Sequence, residues 1–336
     1  MKISRWRTVV AGLVLAGAMV PVPVGAAGIG SRPAHPDSSN PRTQSIFIYK
    51  LAHGDARHDQ LRIDNGLSEK AEIEVYAVDG TVTTTGDMTC KQQVEAKTGA
   101  GSWVKLARSQ VTLTPGASTL VDFNVAVPRT ADVGEHNACL VVQRKTTPQQ
   151  ATGGVQLQTR QAVRMAIIIP GNIHRDVAID RFAVTHADAT KQAYTIALKN
   201  TGNVSADVRT TLTVKDMMGN VVYRNGGDYA AIASETRQLT YTSDLQPFWG
   251  GVYRAQATIA YTKKAGEFGV SAKAIDLTTK QSEEVELFFW PTLGAWLVMG
   301  GGVIVLGIVV WRVIVMAKRR MPHAARRRSR VHATSE

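Results

Sequence analysis

The stretch from Leu293 to Arg330, LGAWLVMGGGVIVLGIVVWRVIVMAKRRMPHAARRRSR, limits this chain more than any other. No charged residue occurs between Leu293 and Trp311, and a helix needs roughly 20 apolar residues to cross the hydrocarbon layer of a bilayer. A core helix of a soluble protein keeps a polar face. This run is apolar all round. Trp290 and Trp296 stand near one end and Trp311 near the other, at the depth where indole rings prefer to lie. Arg312 follows within snorkelling reach of the interface, and then come Lys318, Arg319, Arg320, Arg326, Arg327, Arg328 and Arg330. Short basic flanks stay in the cytoplasm. The expectation is a transmembrane helix over 290–317, a basic cytoplasmic tail over 318–336, and the rest of the chain outside the cell membrane. A cleaved wall-sorting signal fits less well, because WPTLG is a poor LPxTG pentapeptide, and a lipid-anchor signal would end at its apolar segment. The glycines of the run, Gly300, Gly301, Gly302 and Gly307, do not form a GxxxG pair, so the helix carries no dimerisation signal of that kind.

The other end reads MKISRWRTVVAGLVLAGAMVPVPVGAAG. Lys2, Arg5 and Arg7 precede a short apolar core from Val9 to about Val22, and small residues lead up to Ala26 and Ala27. Residues 1–26 are expected to be a secretory signal peptide cut between Ala26 and Ala27, with an uncleaved anchor as the alternative. The two ends also explain the formal charge of +12. Eight Lys and Arg against Glu336 in 312–336, with the three basic residues near the start, leave only +2 for residues 8–311. The exported part therefore has no electrostatic footprint for nucleic acid. The basic tail suits anionic membrane lipids.

Between the ends the hydrophobic period is two. EIEVYAV, STLVDFNVAV and YTIAL alternate, and turn residues recur about every ten positions: DNG at 64–66, DG at 79–80, TPG at 114–116, NTGN at 200–203, MGN at 218–220 and NGG at 225–227. Residues 27–43, rich in Pro, Ser and Gly, read as a disordered linker. From 44 onward a faint internal repeat appears. HDQLRIDNGLSEKAEIEVYAVDG and AYTIALKNTGNVSADVRTTLTVKDMMG share a strand–turn–strand order, with Asn200 standing where Asn65 stood. The pattern predicts an all-β protein of two tandem immunoglobulin-like β-sandwiches, 44–170 and 171–285, joined at Pro170-Gly171, plus the C-terminal transmembrane helix. One large continuous sandwich is the alternative.

The segment WVKLARSQVTLTPGASTLVDFNVAVPRTADVGEHNACLVV resembles the first extracellular domain of the bacterial DUF916 proteins, also called WxL-interacting proteins. Trp103, Pro115, Gly116, Phe123, Val125, Val127, Pro128, Gly134 and His136 carry the likeness, while Ala138-Cys139 replaces the usual Gly-Gly. The resemblance implies attachment to cell-wall peptidoglycan or to WxL-type surface proteins, and no catalysis.

Cys90 and Cys139 are the two cysteines of an exported chain, and an even pair there favours a disulfide over two buried thiols. A loop of about 50 residues would contribute about 2–5 kcal/mol. His53, His58 and His136 lie near Asp55, Asp59 and Glu135 in sequence, but no spacing matches a zinc or calcium pattern, so no metal or other cofactor is expected. A Gly-x-Ser-x-Gly elbow is missing, and Glu69, Glu72 and Glu74 occupy a solvated strand face rather than a paired cleft. No catalytic residue and no small-molecule substrate is indicated. QPFWGGVYR, 246–254, reads either as a sugar- or protein-binding aromatic surface or, preferably, as a turn whose Trp249 and Tyr253 close the sandwich end. NVS at 203–205 is a glycosylation sequon only in a host with that machinery. The sequence thus describes a non-catalytic, membrane-anchored surface protein that binds the wall polymer or a partner protein. A structural spacer or accessory subunit of an envelope complex is the alternative. The ligand-binding face is not readable.

Overall fold

The computed structural model describes residues 28–145, 159–186, 191–262 and 277–320. The expected cleavage point at Ala26 and Ala27 and most of the basic tail lie outside the described residues.

The chain forms two β-sandwiches in series, followed by one long helix. In the first, the four-stranded sheet has the order β1 (Ile29–Pro33), β3 (Ala56–Asn65), β8 (Ser118–Ala126), β6 (Val104–Leu106). It faces a sheet ordered β2 (Phe47–Lys50), β10 (Arg160–Ile169), β9 (Gly134–Arg144), β4 (Ala71–Val82), β5 (Met88–Cys90), with β7 (Gln110–Leu113) also paired to β4. Alternation decides which side chains are inside. Leu61 and Ile63 of β3 and Val121, Phe123 and Val125 of β8 point into the core, while Arg62 and Asp64 point out. Strand β4 departs from alternation over residues 75–79 and β9 over residues 138–142, where consecutive side chains are buried. Tyr76, Val78, Cys139 and Val141 are buried on the outer face, where Met88 and Cys90 pack over them. The loop that follows β4 therefore makes a second, small core on the back of the sheet.

The second sandwich repeats the plan. A sheet of β11 (Val177–His186), β12 (Gln192–Asn200) and β15 (Thr236–Ser243) faces β14 (Val221–Ala231), β13 (Ala206–Lys215), β16 (Gly251–Thr262) and β17 (Leu277–Gln281), and β18 (Val285–Phe289) pairs with the start of β16. Its core holds Tyr194, Ile196, Leu198, Leu212, Ile259 and Tyr261.

The two sequence repeats meet at the atomic level. Asn65 is buried, donates from Nδ2 to the carbonyls of Glu69 and Leu113, and accepts from the Leu67 amide at Oδ1. Asn200 is equally buried, donates to the carbonyls of Val204 and Ala231, and accepts from the Gly202 amide. Each asparagine thus ties the end of its strand to the residue four on and to the end of the next edge strand.

Three expectations need correction. Residues 27–43 are not a disordered linker over their described part. Ile29–Pro33 pairs with β3 from Ile29 opposite Asn65 to Pro33 opposite Leu61, and Pro41–Gln44 forms a 3-10 turn capped by Asn40. An edge strand is held by backbone bonds and needs few apolar side chains, so composition hid it. The second sandwich does not stop at 285, because β18 continues it to Phe289. The helix, α1 (Leu293–Arg320), begins later and ends later than 290–317. Pro291 precedes it, and Thr292 caps it by accepting from the Ala295 amide through Oγ1 at 3.3 Å. Apart from Val315, every side chain from Trp296 to Arg319 is exposed. The helix is long and apolar enough to cross a membrane.

Candidate functional site

Charged side chains from the two sandwiches converge at the elbow, residues 170–176, and at its centre lies Glu135. Its carboxylate is fully enclosed. Oε1 accepts from Arg164 of β10 at 2.6 Å, from Asn137 at 2.9 Å and from the Ser205 hydroxyl at 2.7 Å, and Oε2 accepts from the Ser205 amide at 2.8 Å. Ser205 belongs to the second sandwich, so one carboxylate clamps both. The neighbouring Asn203 adds four more bonds. Its Nδ2 donates to the carbonyls of Asn172 and Val133, its Oδ1 accepts from the His174 amide, and its carbonyl accepts from the Glu135 amide. Gly134 has φ +129 and lies so near that a Cβ would stand 2.5 Å from the Asn203 carbonyl oxygen. Only glycine admits this contact. Arg175 is buried beside the clamp and donates to the Ser205 carbonyl.

Two further contacts flank the clamp. The β4–β5 hairpin leans on the edge of β15, where the Gln238 amide donates to the Thr85 carbonyl at 2.8 Å and Arg237 pairs with Asp87. Arg42 pairs with Asp207 at 2.9 Å. Between these contacts opens a cleft of about 270 Å³, lined by Asp79, Lys91, Glu135 and His136 from the first sandwich and Ile232 and Glu235 from the second. Burial would raise the Asp79 carboxyl, but the amides of Gly99, Gly101 and Thr98 and the Lys91 ammonium outweigh it and hold the group below the usual carboxylate range. Asp79 and Glu135 therefore serve as fixed acceptors. Proton transfer needs a carboxylate oxygen free to reach a substrate, and in both groups every oxygen already accepts from a fixed donor.

At the end of the linker, Asp176 meets Lys280 and the Tyr261 hydroxyl, each at 2.8 Å. These bonds hold its carboxyl at about 2, well below the usual range. Cys90 and Cys139 form a disulfide with Cα atoms 6.0 Å apart. It anchors the loop that carries the hairpin and one wall of the cleft.

The histidines do not converge. His53 bonds the Ala131 carbonyl, His58 faces Asp122 at 3.6 Å, and His136 bonds the Asp132 carbonyl and tilts against Trp103. Of the acids near them in sequence, Asp55 caps the Ala52 amide and Asp59 accepts from Tyr49. The aromatic stretch 246–254 divides. Tyr253 packs on the second core and meets Phe289 edge to face, whereas Trp249 is 59% exposed and closes nothing. Asn203 of the sequon is spent on the elbow. Sequence reading missed the clamp. Its visible signs are Arg164 set between apolar residues of β10, and Glu135 of β9 with a Gly directly before it.

No family model matches the chain, and no curated protein matches it. The resemblance to the DUF916 family is thereby withdrawn. Its residues follow from sandwich geometry instead: Gly116 turns with φ +70 and donates to the Asn65 carbonyl, Phe123, Val125 and Val127 fill the core, and Gly134 belongs to the elbow. Among solved structures, the chain is similar to a CFA/I fimbrial chaperone–tip adhesin complex (12% identity, 79% of this chain and 100% of that one, TM-score 0.36). It is also similar to the YadV chaperone (10% identity, 76% and 99%, TM-score 0.37). A third is the CsuC–CsuE chaperone–tip adhesion subunit complex of Acinetobacter baumannii (10% identity, 73% and 96%, TM-score 0.35). At these identities and scores the likeness carries no functional conclusion.

Proposed function

We propose that this chain is a membrane-anchored, non-catalytic protein that holds two immunoglobulin-like sandwiches outside the membrane and binds a partner protein through an open sheet edge. The observation that carries the reading is β14. This 11-residue strand ends its sheet, pairs among the described residues only with β13, and exposes Val221, Val222, Arg224 and Asn225. Such an edge offers main-chain donors and acceptors to an added strand. The short connection from β18 to α1 supports the same reading, since it holds the second sandwich, and with it this edge, close to the anchor. Tethering raises local concentration, so a weak contact suffices.

A photo-crosslinking residue at Arg224, in full-length chain expressed in its own cells, tests this. The expected result is an adduct with one protein of defined mass, absent when the crosslinker sits on the exposed face of β3 at Arg57. No adduct at Arg224, together with retention of the full chain on insoluble peptidoglycan, would replace the protein partner by the wall polymer. Hydrolysis of that polymer would overturn the non-catalytic reading.

A further inference from the structure

The second sandwich has two ends, and the one away from the elbow gathers an unusual set of side chains. The register fixes which segments share it. Lys215 lies opposite Arg254, Gly251 lies opposite Phe289, and Gln192 lies opposite Ser243. The turn after β13, the loop 244–250 and the segment from β18 into α1 therefore meet at one end. That end exposes Met217 (81%), Met218 (87%), Phe248, Trp249 and Trp290 (76%), and each is polar-free or carries a single indole N–H.

These side chains are held out by bonded backbone. Asp216 accepts from the amides of Met218 and Asn220 and from the Asn220 side chain, which fixes the turn that carries both methionines. The Phe248 carbonyl accepts from the Thr292 amide and hydroxyl, both at 3.1 Å. Gly250 has φ +64, and a Cβ there would stand 2.5 Å from Phe289 O and Pro291 N. Phe248 and Trp249 pack edge to face at 4.8 Å, and Phe248 lies against Gly294 in the first turn of the helix. The loop is thus joined to the start of α1. Through Phe248 and Trp249 the apolar surface of the helix continues onto the apolar end of the sandwich.

We propose that this end of the second sandwich is a lipid-facing foot, in which Met217, Met218, Phe248, Trp249 and Trp290 enter the headgroup boundary of the leaflet that α1 leaves. The inference rests on the reading that α1 crosses the bilayer. The continuity of the patch with α1 identifies the occupant as lipid. Indole rings prefer that depth, and apolar residues at the foot of an anchored module bury there without a partner. Charge does not drive the contact. Arg254 is balanced by Glu284 and Glu286, and Asp216 stands beside Lys215. The foot sets the module upright and fixes the direction in which the elbow projects.

The test uses the full chain in zwitterionic nanodiscs, with a fluorescent label on a single new cysteine and quenchers attached to lipids at shallow or deep positions. Both native cysteines are in the disulfide, so labelling is selective. The substitutions are Met218→Cys and Trp249→Cys at the foot, Glu235→Cys at the elbow and Val305→Cys in mid-helix. The expected result is loss of the signal from 218 and 249 with the shallow quencher, loss from 305 with the deep one, and an undiminished signal from 235, all unchanged in high salt. Loss at 305 with 218 and 249 as bright as 235 would overturn the foot while leaving the anchor intact. An undiminished signal at 305 would overturn the anchor. Equal loss at 235, or loss at 218 and 249 that vanishes with salt, would also reject the foot as described.

Discussion

Asn65 and Asn200 show how one buried amide can hold a sandwich corner. Each satisfies one carbonyl in the turn that follows its strand, Glu69 or Val204, and one at the end of an edge strand, Leu113 or Ala231. Replacing either by Ala removes the donors and leaves those carbonyls unpaired, at about 2–4 kcal/mol. Urea unfolding of N65A and N200A is expected to report that loss, with the first mutation lowering the midpoint of the first sandwich and the second that of the other. Asp176 gives a pH-dependent counterpart. A carboxyl held lower in the folded chain than in the unfolded one adds stability above the unfolded value near 4 and loses it as the pH falls toward 2. The group is 42% exposed, so solvent screening limits its contribution to less than about 1 kcal/mol. Lys280→Met should flatten the stability profile between pH 4 and pH 2, which acid titration followed by circular dichroism would read.

The segment between β4 and β6, which carries β5, is the element whose role changes most between sequence and structure. Its disulfide fastens β5 over the outer face of β4 and β9, and Arg160 holds the same loop by donating to the carbonyls of Cys90 and Lys91. Removing both cysteines by alanine substitution should destabilise the first sandwich by about 2–5 kcal/mol. It should also expose Lys91 and Lys97 to limited trypsin digestion before the strands of the main core yield. Equal cleavage rates in the oxidised chain and the double variant would mean that the small core behind the sheet holds the loop without the bond.

At the scale of the molecule, the arrangement of the sandwiches turns on a single enclosed carboxylate. Glu135→Ala would remove the carboxylate that pairs with the Arg164 guanidinium and accepts from the Ser205 amide, and removing one partner of a buried pair typically costs about 3–5 kcal/mol. Each sandwich keeps its own core, so the expected result is loss of fixed geometry with both modules still folded. Spin labels on the two sandwiches should give a narrow distance distribution in the parent chain and a broad one in the variant. A narrow distribution in both would assign the elbow to the flanking contacts at Thr85–Gln238 and Arg42–Asp207 instead.

Much of this was legible in the residues themselves. The period-two runs mark the strands, the apolar stretch after Pro291 marks the helix, the paired asparagines mark the repeat, and two cysteines in a chain of this kind mark their bond. These are local patterns, set by backbone geometry and by which side chains water rejects. What Glu135, Asn203 and Ser205 do was not legible, because their partners lie on different sandwiches and no spacing along the chain announces a contact across an elbow. The edge strand at Ile29–Pro33 was hidden for a related reason, since main-chain pairing leaves little trace in composition. The same limit applies to Met217, Met218 and Trp249. As residues they suit a core, and only the folding of three separate segments to one end of the second sandwich leaves them outside it, beside the helix.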